Sequence, residues 1–186
     1  MSQINQIQEE LRQIEGGRFQ TLANQYLYRR YSLNNIIELG SQCGTDKTTT
    51  GVPDMYSVGE NGHYLFAAYT TSNSDIRNKL LNDAKDCLDR SKTGINPQLI
   101  DRIILCHTYF RLSPLVLEEV RAIDTRIEII GPETIASDLD GKYPALAHTV
   151  LGVPLGKGSF IAPDRFIERS LNDRFSTDLS KLLMHR

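Results

Sequence analysis

The chain has 186 residues, enough for one domain with its own core and too few for two. Apolar residues make up 40% and charged residues 24%, an ordinary globular balance that excludes a disordered or fibrous chain. A net charge of -2 argues against strong solo binding to nucleic acid, though not against local basic patches. Residues 3–14 set Ile4, Ile7, Leu11 and Ile14 on one stripe, which predicts a polar amphipathic helix broken by Gly16-Gly17. The stretch RFQTLANQYLYRRY, residues 18–31, spaces Phe19, Leu22, Ala23, Tyr26 and Leu27 as a second helix with a broad buried face. NNIIELG reads as a short strand, and SQCGTDKTTTG as polar, glycine-bounded loop. The stretch GVPDMYSVGENGHYLFAAYTTS, residues 51–72, reads as a strand, a tight turn and a second strand rich in strand formers. Ser74 or Asp75 then caps a long helix, IRNKLLNDAKDCLD, with Ile76, Leu80, Ala84, Cys87 and Leu88 as its stripe and its acids on a solvated face. RIILCHT is a buried strand, Ser113-Pro114 opens a helix running through Ala122, and RIEIIG is another short strand. PETIASDLDGKYPALAHTVLG predicts two short helices split near Gly141, and the pattern weakens after Gly152. Helices and strands interleave, so the expected class is α/β, a mixed β-sheet flanked by helices.

Cys43, Cys87 and Cys106 are far apart and form no C-x-x-C pair, so no zinc site is expected and a reduced, cytoplasmic compartment fits. The N-terminus MSQINQIQEELRQ has no apolar segment of signal-peptide type, and no run approaches the ~20 apolar residues of a membrane span. GVPLGKGS, residues 152–159, is one residue short of the phosphate-loop spacing and no clear strand precedes it, so no nucleotide site is expected. No Ser-His-Asp arrangement is readable. Pro163-Asp164 reads as a helix cap before RFIERSL.

Pro53-Asp54 differs because it opens the hairpin, and the turn decides what faces it. If the loop is Glu60-Asn61-Gly62, with Gly62 left-handed, Tyr64 faces Val58, a favourable aromatic and β-branched pair. Continued, that register puts Ala68 opposite Asp54, with Thr70 on the same face. A two-residue Asn61-Gly62 turn would put Tyr69 there instead, and a bulge would also shift the pairing. Asp54, position 68 and position 70 then follow a D…(E)-x-(K) pattern, with Ala and Thr at its second and third places.

This segment resembles the PD-(D/E)xK restriction-endonuclease-like nucleases. More closely, the chain is similar to the N-terminal nuclease domains of bacterial antiviral STAND NTPases. The similarity runs through EGGRFQTLANQYL, GTDKTTTGVPDMY, YLFAAYTTS, DCLDRSKTGI, IILCHT and IIGPETIASDLDGKYPALA, over residues 15–185. It implies a restriction-endonuclease-like sheet and a nuclease-like effector domain over residues 1–175. Residues 176–186, STDLSKLLMHR, would lead toward a C-terminal NTPase region through which the protein self-associates. The implied activity is Mg²⁺- or Mn²⁺-dependent cleavage of double-stranded DNA in anti-phage defence. Hard cations take carboxylate oxygens, and phosphodiester hydrolysis needs developing charge neutralised and water activated.

By this resemblance Asp54 and position 68 are the metal positions, and such domains typically carry Glu just before the Tyr-Thr-Thr. Here that residue is Ala68. The third position, often Lys, is Thr70, which holds no positive charge but can orient a water. Gln20 is a candidate for the same metal face and otherwise a surface or packing residue, and Lys47, Arg77 and Lys79 are candidates for contacts with DNA phosphates and otherwise solvated side chains. His107 is expected as a hydrogen-bonded structural residue and Tyr69 as a packing residue. Ala68 has two explanations: a lost carboxylate that leaves a degenerate DNA-binding or assembly module, or an engineered replacement of glutamate in an intact site. A protein-interaction domain without nucleic acid is the third reading.

Overall fold

The structure is a computed structural model that describes residues 2–39, 52–71 and 75–155. The loop holding Lys47, the Pro163-Asp164 pair and the expected boundary at residue 175 lie outside the described residues. Residues Met1–Pro154 form one unit of dense internal packing.

Two helices, α1 (Gln3–Gln13) and α2 (Gly16–Arg30), open the chain. The break between them falls one step before the glycines. Ile14 and Glu15 are extended, Glu15 is the N-cap, and Gly16-Gly17 begin α2 instead of interrupting α1. Ile14 is buried at that corner, so its side chain fixes the angle of entry.

Five strands follow in sheet order: β1 (Ile37–Glu38), β2 (Met55–Val58), β3 (Tyr64–Thr70), β4 (Ile100–His107) and β5 (Ile127–Ile130). β1, β2 and β3 pair antiparallel, while β3, β4 and β5 pair parallel. The sheet is therefore mixed and helix-flanked, as the interleaved pattern predicts. Helix α3 (Ile76–Leu88), with the short α4 (Arg90–Thr93), connects β3 to β4, and α5 (Pro114–Arg121) connects β4 to β5. After β5 come α6 (Pro132–Gly141) and α7 (Pro144–Leu146), the latter continuing as a wider-wound turn to Leu151.

Strand alternation splits the core in two. Met55, Ala67, Ile104, Cys106 and Ile130 face one side and pack with α1, α2, α6 and α7. Phe66, Ala68, Ile103, Leu105 and Ile127 face the other and pack with α3 and α5. β4 is covered on both faces, which is why RIILCHT reads as an unbroken apolar run. Each fully buried aliphatic side chain here contributes about 1.5–3 kcal/mol by leaving water. On the α2 side Tyr26 donates to Asp138 Oδ2 at 2.7 Å, Arg30 pairs with the same carboxylate, and Lys142 Nζ lies 2.8 Å from Oδ1. Burial works against the Asp138 charge, but these partners hold its carboxyl below the ordinary value.

The hairpin takes the three-residue loop. Gly59 N–H donates to His63 O at 2.9 Å, Gly62 N–H donates to Gly59 O at 2.9 Å, and Gly62 has φ +77°. Only glycine adopts that conformation without strain. Val58 pairs with Tyr64 and Met55 with Ala67. The Tyr56, Tyr64 and Phe66 rings run along the α3 face at 5.9 Å centroid spacings, which locks the register.

Candidate active site

Asp54 immediately precedes β2. Its N–H donates to Ala67 O at 3.0 Å, one residue off the Met55 and Ala67 pairing, so the regular ladder ends at Met55 in a bulge-like step and Ala68 is not a ladder partner of Asp54. Its carboxylate Oδ2 accepts the Tyr69 N–H at 2.7 Å, which ties the side chain to β3. Ala68 and Thr70 are buried at 2% and 4% exposure. Thr70 pairs with His107 across the parallel ladder, and Thr108 N–H donates to Thr70 O at 3.1 Å. The group thus lies at the carboxyl ends of parallel strands, where open α/β sheets place their ligands.

A second carboxylate sits on this face, and it comes from α3. Asp83 is 2% exposed, contrary to the solvated helix face expected for the acids of LLNDAKDCLD. Thr70 Oγ1 donates to Asp83 Oδ2 at 3.2 Å, and Lys79 Nζ donates to Asp83 Oδ1 at 2.6 Å. The signal was present in the spacing. Asp83 is seven residues from Ile76 and three from Leu80, on the stripe those residues define.

The electrostatics reflect burial. Loss of water pushes the Asp54 carboxyl from 3.8 up to about 6, and the Asp83 charge adds to the rise. The Tyr69 N–H and Lys79 oppose it. Burial also raises Asp83, against the opposing pull of Lys79 and Thr70. His107 is 2% exposed, and burial lowers its imidazole to about 4, so it is neutral near pH 7. Its ring bonds the Tyr109 backbone, as expected of a hydrogen-bonded structural residue, while its Nδ1 has no hydrogen-bond partner among the described residues.

Other expected residues are dispersed. Gln20 is 3% exposed on α2, the helix that covers the Met55, Ala67 and Tyr69 face, whereas Asp54, Ala68 and Thr70 belong to the α3 face. Its Nε2 has no partner among the described residues, and neither does Asn24 Nδ2 one turn later. The Asn24 carbonyl oxygen accepts the Tyr69 hydroxyl, so Tyr69 joins α2 to the strand that carries the site, beyond mere packing. Arg77 is held away by Glu119 of α5 through two bonds, of 2.7 and 3.1 Å. A cavity of 330 Å³, lined by Tyr31, Ser57, His63 and Asp101 among others, lies at the opposite end of β3 and β4.

The residues present do not fit a Mg²⁺ or Mn²⁺ site. Asp54 offers one carboxylate with one oxygen already bonded, Ala68 offers a methyl group, and both Asp83 oxygens are engaged. Among the described residues no three His, Cys, Asp or Glu side chains are grouped to hold a metal. Nor does any helix among them have the length and apolar character to cross a membrane. Comparison of the chain with family models, with curated proteins and with solved structures returns no match.

Proposed function

We propose that the Asp54 face is the phosphodiester site of a DNA endonuclease domain, an effector of anti-phage defence, whose metal-ligand set is incomplete at position 68. The observation that carries this reading is the Asp54 carboxylate bonded to the Tyr69 N–H, one residue after Ala68, with Thr70 at the carboxyl ends of the parallel strands. A glutamate at 68 would stand beside Asp54 and give a hard cation two carboxylates instead of one. As the chain stands, the face binds DNA and does not cleave it.

The test is Ala68→Glu, assayed on plasmid DNA with Mg²⁺ or Mn²⁺, with a chelator control, and with the chain both alone and fused to an oligomerising partner. Fusion raises the local concentration of sites on one duplex. Cleavage that appears with Ala68→Glu and disappears when Asp54→Ala is added supports the reading. Intact DNA under all conditions removes it. The second reading, a non-catalytic module of the same fold, is favoured by the packing of the Ala68 methyl within the apolar cluster under α3. DNA binding without any gain of cleavage is its signature.

A further inference from the structure

We infer that Lys79 is the cation through which this face grips a nucleic-acid phosphate, with Asp83 the residue that positions it; this rests on the phosphodiester reading above. Arg77 and Lys79 begin the same helix, and the sequence offers them equally. The structure separates them. Arg77 is folded back onto Glu119 of α5 through two bonds and makes none to Asp83 or Thr70. Lys79 is held by Asp83, which also accepts from Thr70, so the ammonium is fixed directly to the site. Its charge reaches Asp54 as well.

The pair is poorly explained as a stability device. On a helix, the acid-before-base order at i,i+4 is the more stabilising one, and here the lysine comes first. Asp83 is buried, and removing a carboxylate from water costs more than one ion pair commonly returns. Lys79, by contrast, keeps 45% of its side chain exposed, so an anion can reach it. A buried acid that aims a solvent-facing lysine beside a strand-end hydroxyl suits a tetrahedral anion. Lys79 bonds a non-bridging oxygen and Thr70 stands next to it.

The chain as it stands provides a test that needs no metal. Its affinity for a short DNA duplex is measured by fluorescence anisotropy at several salt concentrations. Lys79→Met should weaken binding several-fold and reduce the slope of log K against log salt by about one. Lys79→Arg should retain most of the affinity, and Arg77→Met should leave the slope unchanged. Equal losses from Arg77→Met and Lys79→Met, or no loss from Lys79→Met, overturn the assignment and leave the phosphodiester reading standing. No duplex binding at low salt overturns both.

A second arm uses the Ala68→Glu protein. There Asp83→Asn should lower kcat by about tenfold or more without raising KM, because a misaimed cation costs rate while the loss of an acid does not repel DNA. An unchanged kcat in a folded Asp83→Asn protein contradicts the positioning role.

Discussion

Asp54→Asn should make the protein more stable near neutral pH, and by an amount that depends on pH. The folded carboxyl titrates at about 6 against an ordinary 3.8, mainly because burial disfavours its charge. The folded state therefore binds the proton more tightly than the unfolded chain does. The resulting penalty is absent below about pH 3.8, grows between the two values and is complete above about pH 6. A rise of that size corresponds to roughly 3 kcal/mol, and partial exposure of Asp54 screens it to about 1–2 kcal/mol. Asparagine preserves the acceptor for the Tyr69 N–H, so the 2.7 Å bond survives while the charge is removed. For a chain of this length the gain is about 2–8 °C in Tm. Thermal and urea unfolding from about pH 4 to pH 8 would show the two proteins equal at the acid end and separated above pH 6. A gain of the same size at all pH values, or an Asn variant less stable at pH 8, would refute the reasoning. A charge kept at the expense of stability is the usual mark of a site shaped for binding.

Other outcomes follow from the same structure. Tyr26→Phe removes one of the partners of Asp138 but leaves Arg30 and Lys142, so urea unfolding should register a loss of about 1 kcal/mol. The His107 imidazole, lowered to about 4, should show no titration by NMR between pH 5.5 and 8; the stability linked to it is present above about pH 6.5 and is lost as pH falls toward 4. A midpoint above 6 would place His107 in water. Burial raises the thiols of Cys87 and Cys106, so a thiol reagent should leave both unmodified in the native protein and react with both after unfolding.

The sequence by itself determined the elements and the hairpin register. Stripes at helical spacing fixed α1, α2 and α3. Gly62, with the Val58 and Tyr64 pair, fixed the pairing from Val58 down to Met55, because strand alternation leaves no freedom once one cross-strand pair is set; the step at Asp54, whose N–H meets Ala67 O, was not legible. These are local constraints, carried by residues within a few positions of one another.

Only the tertiary structure decided the chemistry around Asp54. Asp83 became a site residue because α3 packs its apolar stripe on the sheet, and the stripe carries an acid with it. Gln20 was drawn to the opposite face because α2 covers the alternate side chains of β3. Arg77 and Lys79 stand two residues apart and point in different directions around the helix, so one meets Glu119 of α5 and the other meets Asp83. The fate of a charged side chain is set by the partner it reaches. That partner is one turn away on the same helix for Lys79 but 42 residues away on α5 for Arg77, and the latter's placement depends on how the whole sheet and its two helical layers bury their apolar faces.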